Sequence, residues 1–306
     1  MQQAALQTEM RKVSSASADP LVLHNILLAT DFSECSARAL HYALGIAARY
    51  AATLHLLHCI DPTPYNMGAP DALEPARDAG WRDMQRLELE LRSGGFVNDV
   101  ELKLYVEVAE VRAILPKIIR DRDLGLIVVG THGRTGWKKL VLGSVAEIVA
   151  DHASCPVLIV GPSTDRNRLE QFGPENILFA RNNFVPCKLA ESYAFSLAQK
   201  YHSRLTIADV LEDHAGRVIA QVSRFEWRHS ESAGATLRGR PINPPQSPSE
   251  IGTQSDLILR VAERSAADLI VLTVPASHKF TDRFLSTNSY QVVCGARCPV
   301  LTVRTE

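Results

Sequence analysis

The chain contains two copies of one sequence unit. The segment NILLA at 25–29 returns as NILFA at 176–180, and this offset of 151 residues continues through the stretch that follows. A second matching pair, LIVVG from residue 126 and LIVLT from residue 269, has an offset of 143, so the second copy has lost a net eight residues from its middle. The fold must therefore be one that a single domain-sized unit can form twice.

Each copy alternates short β-branched runs with amphipathic helical patterns. In the first copy we predict strands at 25–29, 53–59, 101–108, 126–130 and 157–161, separated by helices at 36–50, 71–92, 111–120 and 144–153. Strands that alternate with helices form right-handed crossovers and a parallel sheet covered on both faces. The predicted fold class is α/β.

The second copy keeps the ends of this pattern and loses its middle. We predict strands near 176–181, 204–211, 268–274 and 299–303 and a helix near 253–265. Residues 234–250 contain four prolines and little periodicity, so we expect a long irregular loop that displaces or shortens the third strand. The predicted organisation is a flexible leader at 1–20, a first domain at 21–162, a linker at 163–175 and a second domain at 176–306.

Charge and hydropathy exclude several classes of protein. The chain has 33 Lys plus Arg residues and 34 Asp plus Glu residues, so its net charge is close to zero and no global basic field is available to hold nucleic acid. No stretch approaches the roughly 18 to 20 apolar residues of a membrane span, and residues 1–20 lack the apolar core of an export signal. The six cysteines show no CxxC spacing, which favours reduced thiols. We expect a cytoplasmic protein that binds neither nucleic acid nor membrane.

A glycine-rich loop follows the fourth predicted strand. Residues 130–144 read GTHGRTGWKKLVLGS and lead into a helix. Gly130 and Gly133 allow backbone N–H groups to approach a ligand without a Cβ in the way. The helix start at Gly143 and Ser144 offers further free N–H groups with positive dipole character. The loop is typical of an anion cradle.

An acidic residue follows the first predicted strand. Asp31 can accept hydrogen bonds from ribose hydroxyls or from an adenine amine. Open α/β sheets bind ligands at the carboxyl ends of their strands, where the strand order reverses. Asp31 and Gly130 face each other across that crevice if the first and fourth strands are neighbours. The alternative is that Asp31 only caps the helix that begins near residue 33.

These residues resemble those of the universal stress protein family. Its nucleotide-binding members carry G-x2-G-x9-G-[ST] after the fourth strand, a pattern matched at each position by Gly130, Gly133, Gly143 and Ser144. The segments ILLATDFSECSARAL and LHLLHCID are similar to the family's first strand, first helix and second strand. The resemblance covers about residues 24–304. It implies a tandem protein with two open five-stranded parallel sheets, each of strand order 3-2-1-4-5.

The resemblance also implies a nucleotide site in the first copy, with ATP bound and Mg²⁺ or Mn²⁺ bridging its phosphates. The adenosine end would contact Thr30, Asp31, the backbone of Cys59, Val129 and Gly130, and the phosphates would contact Gly133, Gly143, Ser144 and Val145. It further implies that the last strands of the two domains pair as an intramolecular pseudo-dimer, and that chains associate as a homodimer.

The second copy departs from the motif at each glycine. Thr273, Ala276 and Ser286 replace the three glycines, Thr287 keeps the hydroxyl, and Asn182 replaces Asp31. Side chains then stand where phosphates need backbone access. We predict one ATP per chain, bound by the first copy.

Several other residues bear chemistry that the motif does not use. His132 either faces solvent from the glycine loop or moves a proton there. His55 and His58 lie three apart on one strand, hence on opposite faces, which disfavours a shared metal. The arginine-rich stretch from Trp227 to Arg240 is either a solvated loop or a local docking site for anions.

Known enzyme signatures are absent from the sequence, including the P-loop, the nucleophile elbow and the HExxH helix. We therefore expect a nucleotide-dependent stress-response module, read by an unidentified protein partner, with no catalytic residue and at most weak ATPase activity. Two alternatives stay open. One is a slow ATP hydrolase or nucleotidyl-transfer enzyme in which Asp31, His132 or Mg²⁺ activates water. The other is an interaction scaffold that binds no nucleotide.

Overall fold

The computed structural model describes the chain at residues 21–97, 99–131, 143–164, 173–182, 187–212, 218–230, 234–240, 253–275 and 288–305. The chain divides into two compact units, one of residues 22–172 with 278–302 and one of residues 1–21, 173–277 and 303–306. Each unit is described by itself below. The domain boundaries inferred from the repeat stay predictions.

The first unit is built on a parallel sheet. Its strands are β1 (Asn25–Ala29), β2 (Thr53–Ile60), β3 (Leu102–Val108), β4 (Leu126–Gly130) and β5 (Val157–Val160). They are ordered β3-β2-β1-β4-β5, and all of these pairs are parallel. The α/β class is thus confirmed, and the first copy has the expected strand order. Residues 300–302 belong to this unit as well and pair antiparallel with β5.

Helices cover this sheet. They are α1 (Glu34–Tyr50), α2 (Thr63–Gly68), α3 (Leu73–Ser93), α4 (Val111–Asp121) and α5 (Ser144–His152), with a short 3-10 turn at Pro70–Ala72. The boundaries predicted for the strands and helices of the first copy differ from these by no more than two residues. The short helix α2, which follows Pro62, was not predicted.

Burial of β-branched and aliphatic side chains on both faces holds the sheet together. Ile26, Leu27 and Leu28 are consecutive in β1, and each is 0% exposed. Complete burial of three neighbouring residues is expected for a central strand with helices above and below it. Each such side chain stabilises the fold by about 1.5 to 3 kcal/mol relative to an exposed position. The polar residues that end the strands are thereby placed on a rigid support.

The second unit departs from an all-parallel sheet. Its strands are β6 (Asn176–Asn182), β7 (Arg204–Glu212), β8 (Val218–Ser230), β9 (Gly234–Arg240) and β10 (Leu269–Val274), and β11 (Val300–Arg304) follows in the chain. Two helices accompany them, α6 (Lys188–Tyr201) and α7 (Gln254–Arg264). The last helix, α8 (Asn288–Gly295), follows in the chain and belongs to the first unit. The order is β10-β6-β7-β8-β9, in which β8 and β9 run antiparallel to their neighbours.

The prediction of five parallel strands is therefore wrong for this copy. Residues 234–240, expected to be an irregular loop, form β9 instead. The physical reason is connection length. Only residues 231–233 separate β8 from β9, whereas a parallel partner needs a crossover of a dozen or more residues. The proline-rich residues 241–252 lie outside the described part of the chain.

Within the described ranges, none of the helices combines the length and the apolar character needed to cross a bilayer.

Candidate functional site

A cavity of about 250 Å³ lies at the carboxyl ends of β1 and β4 in the first unit. These two strands are neighbours, with Ala29 opposite Val129, so the crevice expected from the sequence exists. It is lined by every predicted site residue that the structure describes: Thr30, Asp31, Cys59, Val129, Gly130, Gly143, Ser144 and Val145. Gly133 and His132 lie outside the described residues.

Much of the cavity wall is apolar and was not predicted. Leu57 comes from β2, Val111 and Leu115 come from α4, and Val149 comes from α5. Ser36 of α1 was missed as well. The sequence predicts each of these elements, but which face of α4 meets the end of the sheet is a property of the packed fold. An apolar wall of this kind suits a hydrophobic or aromatic group of a ligand.

The turn between β1 and α1 carries the polar side of the cavity. Thr30 is buried, and its Oγ1 accepts the N–H of Phe32 at 3.0 Å and donates to Ser36 Oγ at 3.2 Å. Asp31 Oδ1 accepts the N–H of Ser33 at 3.1 Å. The turn thus holds itself through side-chain to backbone bonds of the kind that Asp and Thr favour.

The cap of α1 is Ser33, not Asp31. Ser33 Oγ accepts the N–H of Ser36 at 3.2 Å, which satisfies a donor that the helix leaves free. The alternative reading of Asp31 as the helix cap is therefore wrong. Asp31 supports the turn before the cap, and it is one of the residues that line the cavity.

Gly130 is required by close packing of the backbone. A Cβ at this position would lie 2.8 Å from both the carbonyl carbon and the carbonyl oxygen of Cys35, and 3.1 Å from Ser36 N. Such distances are shorter than real Cβ contacts, so the start of α1 would have to shift. The glycine lets the first turn of α1 rest directly on the end of β4, which shapes the cavity.

Gly130→Ala is expected to lower the free energy of unfolding by about 1 to 3 kcal/mol, because backbone atoms of α1 must move to admit the methyl group. Gly68→Ala is the matched control, since a Cβ there has nothing within 4 Å. Urea unfolding of the two variants measures the difference. Equal stability of the two would show that the close approach at Gly130 is not rigid.

The end of the glycine loop leads into the first turn of α5. Gly143 N–H donates to Thr131 O at 2.5 Å, and Thr131 N–H donates to Val160 O at 3.0 Å, so both ends of the loop are anchored beside the sheet. Gly143 is the N-cap residue of α5 and forms no side-chain cap. The first-turn residues Ser144 and Val145 border the cavity. Their N–H groups and the positive end of the helix dipole favour an anion.

The charge of the cavity wall is small. Asp31 is the one ionised side chain among the described residues that line it. Burial and the charge of Glu107 raise the pKa of the Cys59 thiol to about 12, so this thiol stays protonated and is no nucleophile. The described wall therefore holds no paired acid and base.

The histidines singled out from the sequence have structural partners. His55 is 2% exposed and bonds through Nε2 to Asn25 Oδ1 at 2.9 Å and through Nδ1 to Tyr105 OH at 3.3 Å. His58 Nδ1 lies 2.9 Å from Thr30 O. Over the described ranges, His, Cys, Asp and Glu residues form no group of three that could hold a metal ion.

The equivalent edge of the second unit has different chemistry. Thr273, which replaces Gly130, has a buried Oγ1 with no hydrogen-bond partner in the described structure. Arg181 Nε donates to Asp209 Oδ1 close by. Ala276, Ser286 and Thr287 lie outside the described residues, as does the side chain of Asn182. The described part of this edge presents side chains where the first unit presents glycine.

One protein family matches both repeats of the chain. A sequence model of the universal stress protein family matches residues 23–161 and 174–304. A universal stress protein of Methanocaldococcus jannaschii is 30% identical over 141 residues, which are 44% of this chain and 80% of that protein.

Two solved structures share the fold over most of the chain. A universal stress protein from Archaeoglobus fulgidus has a TM-score of 0.63 at 18% identity and covers 92% of this chain and 98% of its own. A protein of unknown function from Pseudomonas aeruginosa has a TM-score of 0.55 at 16% identity, covering 96% of this chain and 94% of its own. At these identities the likeness shows the fold alone.

Proposed function

The chain belongs to the universal stress protein family, and from that premise we propose that it is a nucleotide-dependent regulatory protein whose first copy binds one ATP. The observation that carries the proposal is the cavity at the ends of β1 and β4, which brings Asp31, Gly130 and the start of α5 together. Asp31 is about a hundred residues away from the other two groups in the sequence. The three together offer a carboxylate, an accessible backbone and a helix N-terminus, which suit the ribose and the phosphates of a nucleotide.

The adenosine end of ATP fits the side of the cavity near β2 and α4. Leu57, Val111 and Leu115 offer an apolar wall against which a purine can pack. The carboxylate of Asp31 accepts hydrogen bonds from ribose hydroxyls, and the backbone of Cys59 reaches the base edge. Because the Cys59 thiol stays protonated, it places no negative charge beside the base.

The phosphate end fits the start of α5. Free N–H groups of the first helical turn and the Ser144 hydroxyl hold phosphate oxygens. Mg²⁺ or Mn²⁺ fits this arrangement as an ion held mainly by the phosphates, with Ser144 as a protein ligand, and it would neutralise part of their charge. The basic residues Arg134, Lys138 and Lys139 belong to the same loop in the sequence.

Binding, rather than turnover, is the proposed outcome. Hydrolysis needs a group that positions or deprotonates water, and Asp31 is the one ionised side chain that the described wall offers. Thr131 and Gly143, which flank the glycine loop in the sequence, share one hydrogen bond, so the proposed phosphate site lies directly beside both ends of this loop. We infer that a protein partner reads this loop.

Calorimetric titration with ATP and Mg²⁺, followed by chromatography of the incubated nucleotide, tests the proposal. The expected result is one ATP per chain that is recovered unchanged. Steady appearance of ADP or AMP would replace the proposal with the hydrolase or nucleotidyl-transfer alternative. Absence of binding would leave the interaction scaffold. The homodimer also stays a prediction, which light scattering of the purified protein would address.

A further inference from the structure

His58 holds the turn that presents Asp31 to the cavity. It lies at the end of β2, and its Nδ1–H donates to the carbonyl oxygen of Thr30 at 2.9 Å. Its ring also packs against Phe32, with the two ring centroids 4.7 Å apart. His58 therefore contacts the residues on both sides of Asp31 without lining the cavity itself.

The imidazole is fixed from its other side by α3. A Cβ at Gly80 would lie 3.1 Å from His58 Cδ2 and 3.2 Å from Val106 Cγ1, so the absence of a side chain at Gly80 lets α3 pack directly over the ring. The ring is thus held between a helix and the turn. A ring supported in this way can hold the Thr30 carbonyl in one position.

The turn that His58 contacts is strained. Phe32 has a φ of 60°, a left-handed conformation that bulky residues rarely adopt. Strained residues persist when surrounding contacts enforce them, and they cluster at ligand sites. The contacts around it include the bond from His58 to the Thr30 carbonyl, the ring contact with Phe32, the bond from the Phe32 N–H to Thr30 Oγ1, and the bond from Ser33 to Asp31.

The second unit has a different bond at the same two positions. At the repeat offset of 151, Thr30 and His58 correspond to Arg181 and Asp209. Those two residues are opposite each other in β6 and β7, and the Arg181 guanidinium donates to the Asp209 carboxylate. The pair raises the pKa of Arg181, which stays charged. Both copies therefore tie the end of their first strand to the end of their second.

The two bonds differ in which part of the first-strand residue they engage. Asp209 engages the side chain of Arg181. His58 engages the backbone carbonyl of Thr30, so the Thr30 side chain can bond within the turn, to Phe32 and Ser36, while Thr30 lines the cavity. The bond in the first unit supports the crevice while leaving it open.

We propose that His58 is a positioning residue of the nucleotide site, which acts by holding the strained turn so that Asp31 and Thr30 meet the ligand. This inference rests on the proposed function. Loss of the bond lets the turn relax toward negative φ, which moves the Asp31 carboxylate away from the cavity. The expected cost is in ATP affinity, with a smaller cost in the stability of the fold.

Two substitutions of His58 separate the hydrogen bond from the bulk of the ring. His58→Phe keeps an aromatic ring and removes the donor, and we expect it to weaken ATP binding about 10-fold, which is the loss of one hydrogen bond. His58→Gln keeps an N–H donor and should bind within about 3-fold of the wild type. Equal Kd values for wild type and His58→Phe would overturn the inference.

A rescue and a double-mutant cycle test the route of action. Phe32→Gly accepts positive φ at no steric cost, so in the His58→Phe background it should recover most of the affinity. In an Asp31→Ala background, His58→Phe should weaken ATP binding by a smaller factor than in the wild-type background, because one of the two groups that it positions is already removed. Full additivity of the two substitutions would show that His58 acts by another route.

The control breaks the equivalent bond of the second unit. Asp209→Asn should lower the melting temperature and leave the Kd for ATP unchanged. If the wild type itself binds no ATP, the proposed function fails and not only this inference. If the wild type binds but neither Phe32→Gly rescue nor the cycle behaves as expected, the inference alone fails.

Discussion

Gly143→Val is expected to weaken ATP binding at least about 100-fold, a loss of roughly 2.7 kcal/mol, with little change in the stability of the fold. Gly143 borders the cavity at the first turn of α5, and the proposed phosphate contacts surround it. A branched side chain there stands in the path of a phosphate group and hinders access to the helix N–H groups. We thus expect ATP binding to be lost because the added side chain occupies the space of the phosphate, with no change in the charge of the site.

We expect the fold to tolerate this change because the backbone conformation of Gly143 is open to other residues. Its φ of −69° and ψ of 153° are extended values open to any residue, and its hydrogen bond to Thr131 uses the backbone N–H alone. A poor N-cap side chain costs about 1 kcal/mol at most. The proposed ligand would thus account for the glycine at position 143, whereas Gly130 is explained by the packing of α1.

Calorimetric titration with ATP and urea unfolding, run on the same preparations, measure the two effects separately. Ser286→Val, the same change at the corresponding position of the second copy, is the matched control and should bind ATP as the wild type does. Retained ATP affinity in Gly143→Val would remove the start of α5 from the site. Lost affinity in Ser286→Val would mean that the second copy takes part in binding.

The stability of the first unit is expected to fall steeply between pH 6.5 and pH 4 because of His55. Burial lowers the pKa of His55 from 6.5 to about 4, with smaller contributions from Lys103 and Arg122. The neutral imidazole bridges Asn25 and Tyr105, with the Tyr105 ring stacked beside it at 5.7 Å between centroids. A proton on this ring has no room for hydration.

Stability falls with falling pH because the unfolded chain takes up the His55 proton at a higher pH than the folded chain does. In the unfolded chain His55 is protonated as the pH falls through 6.5, whereas in the folded chain it resists protonation until about pH 4. Its contribution to stability is therefore complete above pH 6.5 and is lost as the pH falls toward 4. The slope reaches about 1.4 kcal/mol per pH unit, and the total is on the order of 3 kcal/mol.

Urea unfolding at several pH values compares the wild type with His55→Gln, which cannot take up a proton. The variant should lose this part of the pH dependence, while His24→Gln at an exposed position should keep it. A wild type and a His55→Gln variant with parallel pH profiles would contradict the assignment to His55.

The middle of the second copy, where the repeat pattern is lost, shows which strands a sequence pattern can predict and which it cannot. The four prolines and weak periodicity there predicted a third strand that is displaced or shortened. Among the described residues, the strands that follow β7 in the sheet are β8 and β9, both antiparallel to their neighbours. The sequence pattern could not predict β8 and β9, because arginines interrupt the alternation of apolar and polar residues in both strands. In addition, each strand is stabilised by the neighbour with which it pairs, and that neighbour is not visible in the local sequence. The arginine-rich stretch is consequently part of a hairpin from Val218 to Arg240 rather than a loop.

The sequence by itself determined the duplication, the α/β class, and the strands and helices of the first copy apart from α2. Those properties depend on periodicity and on local backbone preference, which neighbouring residues encode. The structure chose between local alternatives that the sequence left open, since Asp31 supports a turn and Ser33 caps the helix. Only the tertiary structure decided that Gly130 faces the carbonyl of Cys35, and that α4 lines the cavity. These are contacts between elements distant in the chain, and they depend on how side chains of particular volume pack together, which no local pattern contains.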